Sequence, residues 1–164
     1  MIEMELTRIL IAENRDVQVI VLKEKNGERA FPIVIGFFEA AAIDRHVKEV
    51  PTPRPLTHDL LNSVIKSMGG TLDRILVNDL RDSTFFGTLV IRRNGDTIEV
   101  DSRPSDAIAL AVLNSAPIFV AEHVLDEVCG SGNYDLTGLS GMDDESDDEE
   151  PGEPEGGEEG EKPK

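Results

Sequence analysis

One polar segment at the start of a predicted helix contains residue types that can bind anions or metal ions and transfer protons. Residues 54–59 read RPLTHD and bring Arg54, His58 and Asp59 together. Helix N-termini attract anions through unpaired N–H groups and the helix dipole. His58 could act as an acid or base or bind a metal ion. Alternatively, Asp59 complements the dipole and His58 bonds a neighbouring carbonyl group.

A second polar segment also joins a predicted strand to a helix start. Residues 101–106 read DSRPSD and contain two carboxylates, two hydroxyls and an arginine. Capping would account for one hydroxyl and for Asp106. It does not readily account for Asp101 and Arg103 ahead of a helix that should be buried. A catalytic or anion-binding role and a purely structural role both remain open here.

Glu39 is a third candidate, in the first turn of a predicted helix. It lies seven residues before His46, so the two share a helix face. Such a pair usually belongs to a solvated face. The chain has no phosphate-binding loop, nucleophile elbow, HExxH or CxxC sequence.

The first part of the chain predicts three strands and a helix. Residues 2–36 supply the strands, and the Asn26-Gly27 pair is a hairpin signal. Pro32 indicates a strand end or an edge strand. The alanine-rich residues 37–47 then favour a helix.

The second part predicts two more helices, several strands and a short final helix. Thr57 is the expected N-cap of a helix that ends at Gly69-Gly70. Pro104 suits the first turn of the next helix, which should be buried because residues 107–113 are apolar on every face. The predicted strands are residues 72–80, 85–91, 97–100 and 116–120, with turns at 81–84 and 94–95, and the short helix begins at Ala121.

These elements predict an α+β fold with a mixed, mainly antiparallel sheet and three or four helices. A single domain should span residues 1–130. Residues 131–164 are expected to form a disordered acidic tail, because residues 143–164 contain no hydrophobic side chain.

The net charge and the cysteine count of the chain limit the functions it could have. The net charge is −17, and from Asp143 onward there are twelve acidic residues and two lysines. Residues 1–142 therefore carry 21 acidic and 14 basic residues, which disfavours tight sequence-independent binding of nucleic acid. The single cysteine, Cys129, excludes an intramolecular disulfide. With no signal peptide and no transmembrane run expected, the chain is predicted to be cytoplasmic, with no membrane partner.

Several segments resemble the bifunctional nuclease family in sequence, order and spacing, from near the start of the chain to about residue 128. The resemblance implies an α+β domain acting on DNA and RNA. The matching segments are FPIVIG at 31–36 with Glu39-Ala40, PRPLTHDLL at 53–61, DSTFF at 82–86, VDSRPSDAIALA at 100–111 and APIFV at 116–120.

An enzyme that cuts both DNA and RNA cannot use the ribose 2′-hydroxyl as its nucleophile, so water is expected to attack. Activating water commonly needs a divalent ion such as Mg²⁺ or Mn²⁺ held by carboxylates. The candidate catalytic residues are His58, Asp59, Asp101 and Asp106, the candidate metal ligands are Glu39, Asp59, Asp101 and Asp106, and the candidate phosphate-binding residues are Arg54 and Arg103.

Two other function classes fit the same residues. A non-catalytic interaction domain would use the polar segments as caps and inter-subunit ion pairs. A small-anion binder would hold a phosphate or carboxylate with Arg54, Arg103 and helix N-termini. The exposed edges of the predicted hairpins also make a homodimer plausible.

Overall fold

The computed structural model describes residues 1–11 and 17–130, so the predicted acidic tail lies outside the described residues. These residues form seven strands and four helices. The strands are β1 (Ile2–Leu10), β2 (Gln18–Glu24), β3 (Ala30–Ile35), β4 (Thr71–Arg81), β5 (Thr84–Arg93), β6 (Asp96–Ser102) and β7 (Ile118–Val120). The helices are α1 (Phe37–Val47), α2 (Thr57–Ser67), α3 (Pro104–Asn114) and α4 (Glu122–Gly130).

All seven strands belong to one sheet with the order β3-β2-β1-β7-β4-β5-β6. Every neighbouring pair is antiparallel except β4 and β7, which run parallel. The predicted α+β class with a mixed, mainly antiparallel sheet is confirmed. The short strand β7 joins two antiparallel groups, one formed by β1–β3 and the other by β4–β6.

Tight turns set the register of the second group. Asp82 and Ser83 between β4 and β5 both have positive φ, at 48° and 58°. Asn94 and Gly95 between β5 and β6 have φ values of 53° and 88°. Two consecutive residues with positive φ form the hairpin turn whose twist matches that of the flanking strands. Both predicted turns are therefore confirmed.

The hydrophobic core lies between the sheet and the helices, with α3 at its centre. Residues 107–111 of α3 are all buried, as their unbroken apolar sequence predicted. From α1, Ala40 and Ile43 face the same core, and from α4, Val124 and Leu125 do so. No described helix is long and apolar enough to cross a membrane.

Helix α2 departs from this arrangement. The predicted N-cap Thr57 is instead the first helical residue, and Leu56 occupies the cap position. The side chain of Asp59 pairs with the backbone at the helix start, because the Leu56 amide donates a hydrogen bond to Asp59 Oδ2 at 2.9 Å. Among the eleven described residues of α2, Asn62 alone is buried. The helical spacing of the apolar residues predicted the helix correctly, but of these residues only Ile65 packs against the core, and the others are exposed.

Candidate active site

The first turns of three helices meet beside the sheet, and each has a carboxylate at its third helical residue. None of the three N-cap residues uses its own side chain as a cap. The carboxylates are Glu39 in α1, Asp59 in α2 and Asp106 in α3. We call these residues and their partners the helix-start cluster: Glu39, Arg45, His46, His58, Asp59, Arg103 and Asp106.

Arg103 bridges the first turns of α1 and α3. Its Nε donates to Asp106 Oδ2 at 2.7 Å and its Nη2 donates to Asp106 Oδ1 at 3.0 Å. The same Nη2 lies 2.7 Å from Glu39 Oε1. Hydrogen bonds first to Asp106 and then to Glu39 raise the pKa of Arg103. Nη1 has no partner within the described residues, and 65% of the side chain is exposed, so it can still bind an anion.

His58 joins α2 to the same carboxylate. Its Nε2 lies 3.1 Å from Asp106 Oδ1, and the imidazole is mostly buried, with 13% of the side chain exposed. Burial opposes ionisation of Asp106, but hydrogen bonds from Arg103 and His58 outweigh it and lower the pKa. A carboxylate that stays ionised and holds one imidazole nitrogen is the usual orienting partner of a catalytic histidine.

The other half of the cluster connects α1 to α2. Arg45 Nη2 donates to Asp59 Oδ2 at 2.8 Å. Burial opposes ionisation of Asp59, but the Leu56 amide and the Arg45 guanidinium outweigh it and lower its pKa. Because Asp59 follows His58 directly, this ion pair fixes the helix turn that carries the imidazole.

His46 completes this half as a buried neutral imidazole. Only 4% of its side chain is exposed, and its Nε2 lies 3.6 Å from Asp59 Oδ1. Desolvation by burial, followed by the nearby Arg45 charge, lowers its pKa. Arg45 Nη2 also lies 3.0 Å from Nε2, so Nε2 accepts this bond and the ring proton is on Nδ1. The Glu39–His46 face expected to be solvated is therefore largely buried, with 17% of the Glu39 side chain and 4% of the His46 side chain exposed.

Close backbone contact between β5 and the start of α3 positions Arg103 and Asp106. A Cβ added at Gly87 would lie 3.0 Å from the Ser102 carbonyl oxygen and 3.1 Å from the Pro104 nitrogen. Both neighbours are backbone atoms, so a larger residue would require the backbone to shift, whereas glycine fits as it is. Pro104 then begins α3 with a preset φ, as its position in the sequence predicted.

Two of the predicted site residues lie apart from the cluster's contacts. Asp101 is exposed on β6, paired in register with Thr88, and its side chain has no polar partner in the described part of the chain. Arg54 is likewise exposed, and its guanidinium has no ion pair within residues 1–11 and 17–130. The remaining predicted residues are brought together: Glu39, His58, Asp59, Arg103 and Asp106.

Sequence reasoning missed Arg45 and underrated His46. Arg45 lies in the last turn of a helix and in no recognisable motif, so its type and position gave no signal. Its Nε is buried without a hydrogen-bond partner in the described ranges, a rare state that is more common at functional sites.

The cluster does not form a ready-made metal site. Arg103 binds both Glu39 and Asp106, Arg45 binds Asp59, and Asp101 lies on the exposed face of β6. Among residues 1–11 and 17–130, no group of three or more His, Cys, Asp or Glu side chains could hold a metal ion. The described arrangement therefore does not fit the four predicted ligands acting together.

Comparison with known proteins identifies the family. Residues 20–131 match the family model of the bifunctional nuclease domain. The chain belongs to the bifunctional nuclease domain family, and the resemblance found in the sequence is confirmed. An uncharacterized protein of Mycobacterium tuberculosis is 41% identical over 123 residues, covering 75% of this chain and 73% of that protein.

More distant relatives in rice have names that state an activity. Bifunctional nuclease 2 of Oryza sativa subsp. japonica is 28% identical over 114 residues, covering 67% of this chain and 35% of the rice protein. Bifunctional nuclease of Oryza minuta is 24% identical over 109 residues, covering 64% and 33%. This chain thus spans about a third of each plant protein.

Proposed function

We propose that this chain is a nuclease that hydrolyses phosphodiester bonds of DNA and RNA at the helix-start cluster. The observation that carries the proposal is the meeting of three helix N-termini around His58, Arg103 and Asp106, in a chain of the bifunctional nuclease domain family. The N-terminal ends of helices favour bound anions such as phosphate.

His58 is the proposed general base. Asp106 accepts from Nε2 and holds the ring in one orientation, while Nδ1 has no hydrogen-bond partner among the described residues. Nδ1 is therefore the nitrogen available to take a proton from an attacking water. Ionised Asp106 stabilises the resulting imidazolium, which can return the proton to the leaving oxygen.

Arg103 is the proposed phosphate contact. Its Nε and Nη2 are held by two carboxylates, which leaves the two N–H groups of Nη1 directed by a fixed guanidinium plane. Charge-assisted bonds from a positioned arginine stabilise the charge that develops on a phosphoryl oxygen. The cluster holds three carboxylates and two arginines, so the proton that His58 takes from the attacking water brings its net charge from −1 to neutral as negative charge develops on the phosphoryl group.

The participation of a divalent ion, Mg²⁺ or Mn²⁺, in the reaction stays a prediction. Asp101 and Asp59 would have to leave their present surroundings to share an ion with Asp106, and no step above is assigned to a metal. Arg54, exposed just ahead of α2, is proposed as an outer contact to the nucleic-acid backbone.

The experiment is cleavage of plasmid DNA and of total RNA by the full chain with Mg²⁺, with Mn²⁺ and with EDTA. We expect His58→Asn and Asp106→Asn to lower the rate by about 10²–10⁴-fold, the usual contribution of a general base and its support. Asp101→Asn is the matched control, because it makes the same chemical change outside the cluster's contacts and should retain the wild-type rate.

Four outcomes separate the possibilities. Loss in Asp106→Asn with retention in Asp101→Asn supports the cluster as the site. The reverse pattern, abolished by EDTA, would move the chemistry to a metal at Asp101. Equal cutting by all folded variants would indicate a contaminant, and no cutting by the wild type would favour a non-catalytic interaction domain.

A further inference from the structure

Helix α2 exposes an apolar surface that its own domain leaves uncovered. Leu60, Val64 and Met68 follow at four-residue spacing and Leu61 lies beside them, so all four share one side of the helix. The buried Asn62 faces away from this side, as does Asp59, which is bound to Arg45. We call the exposed residues the α2 stripe, with these exposed fractions: Leu56 50%, Leu60 57%, Leu61 40%, Val64 45% and Met68 63%.

Most of the apolar side of α2 faces outward, and only Ile65 of the helix packs against the core. An amphipathic helix normally turns its apolar side to the core and its polar side to water. In α2, polar residues attach the helix to α1 and α3, through Asp59 to Arg45 and through His58 to Asp106. A contiguous exposed apolar surface rimmed by polar residues marks a protein interaction site.

We propose that the α2 stripe is the interface of a homodimer, in which α2 packs antiparallel against α2 of a second copy. The twofold axis passes near Val64, midway between Leu60 and Met68. This proposal does not depend on the nuclease function.

The exposed area of the stripe is large enough for an interface with a second copy of the chain. With roughly 150 Å² for a fully exposed large apolar residue, the stripe presents roughly 400 Å² per copy. Apolar area makes up a little over half of an ordinary interface. The stripe is then the apolar part of an interface of roughly 700 Å² per partner, near the ~800 Å² of standard stable complexes.

Few charged side chains lie beside the stripe. Each copy carries a net charge of −17, so long-range repulsion opposes association and the apolar stripe must supply the attraction. The exposed charges on and just before α2 are Lys66 and Arg54, and neither has an ion pair in the described part of the chain.

The open edge of β6 is the weaker alternative for self-association. Edge strand β6 is largely exposed and carries Asp96, Glu99 and Asp101. Antiparallel pairing of two such edges would bring like charges together, which natural edge strands use to prevent association. The helix stripe carries no acidic residue on its exposed side.

The test is the solution mass of the full chain over a range of concentrations, by light scattering after size exclusion and by analytical ultracentrifugation. We expect twice 17.9 kDa for the wild type. Val64→Asp should raise the dissociation constant at least ~10-fold, because it places an unpaired charge in an apolar interface. Val34→Asp is the matched control, since Val34 is 65% exposed on edge strand β3 and should leave the dimer intact.

A wild-type monomer at all concentrations, or a dimer unaffected by Val64→Asp, would overturn the proposal. If Val64→Asp fails to fold, a positive test replaces it: Val64→Cys in a Cys129→Ser background. A residue on a twofold axis contacts its own copy, so oxidation should give a covalent dimer with Val64→Cys and none with Val34→Cys. Equal crosslinking of both, or of neither, would overturn the placement of the axis.

Discussion

Helices α2 and α3 start alike and end up in opposite surroundings. Each is eleven residues long, follows a polar segment, and has an aspartate at its third position. In α3, seven of the eleven described residues are buried, whereas in α2 only Asn62 is. The polar starts meet through His58 and Asp106, 3.1 Å apart, while the helix bodies diverge into core and solvent.

The comparison shows that two separate requirements act on these helices. Their first turns are fixed by ion pairs within the helix-start cluster, which keeps the candidate chemistry in place. Their bodies are fixed by apolar burial, which for α3 is supplied by the domain itself. A single copy of the chain does not bury the apolar side of α2. The sequence of this helix is therefore consistent with a partner surface that covers it.

The largest expected effect is the difference in stability between two leucine truncations, one in α3 and one in α2. Leu110→Ala in α3 should lower the free energy of unfolding by about 2–5 kcal/mol, because Leu110 is fully buried. Leu60→Ala in α2 should change it by about 0.5 kcal/mol or less at dilute, monomeric concentrations. Urea denaturation of both variants measures the difference, and similar losses would contradict the assigned burial of the two helices.

The next largest effect is expected from a small change in β5, which contacts the start of α3. Gly87→Ala forces a methyl group against backbone atoms of Ser102 and Pro104 and should cost about 1–3 kcal/mol. It should also displace Arg103 and reduce the proposed nuclease activity. Gly130→Ala is the control, since a Cβ there meets nothing within 4 Å. Equal melting temperatures for the two variants would refute the close approach.

Arg45 is expected to stabilise the start of α2 through Asp59. Arg45→Met should cost about 1–3 kcal/mol, because it leaves a largely buried carboxylate without its guanidinium partner. Arg54→Met makes the same substitution nine residues later at an exposed position and should have an effect of about 0.5 kcal/mol or less. Denaturant midpoints compare the two, and a larger loss in Arg54→Met would show the pairing to be misassigned.

The smallest effect is a pH dependence that comes from the α1–α2 side of the cluster. The pKa of His46 is lowered below its ordinary value of 6.5, so the unfolded chain takes up the proton first as pH falls. Stability should be complete above pH 6.5 and decline below it, towards the folded pKa. The lowered pKa values of Asp59 and Asp106 add a second decline as pH falls below 3.8 and through their folded values.

Unfolding free energies measured across this pH range test the assignment. His46→Gln should remove the first decline, because glutamine does not titrate. His123→Gln should keep it, since that imidazole is 63% exposed in the folded protein. An unchanged slope in His46→Gln would assign the effect to another group.

Local sequence signals were sufficient for most of the fold. Pro104, the apolar residues 107–111, the Asn94-Gly95 turn and the edge position of Pro32 each depend on short-range sterics or burial, and the structure agrees with all of them. Thr57 was wrongly expected to be the N-cap, because Asp59 satisfies the Leu56 amide in its place. Propensity gives the type of cap residue but not which neighbour supplies the bond.

The candidate site was harder to predict, because it depends on how helices meet. Glu39, His58, Arg103 and Asp106 were recognisable as polar residues at helix starts, and they are in contact. Asp101 differs from Asp106 in contacts although the two are close in sequence, since β6 carries Asp101 on an exposed strand. Arg45 had no local signal, because its importance comes from a partner fourteen residues away.

The position of β7 has a consequence for how the chain is made. The strands before it in sequence form two local meanders, β1–β3 and β4–β6, and within the described sheet only the three residues of β7 connect them. During synthesis each meander can assemble as it emerges, but the sheet cannot become continuous until Val120 has left the ribosome. The edges of β1 and β4 stay unpaired until then, so the interval between residues 81 and 120 is when a nascent chain is most exposed to wrong strand pairing.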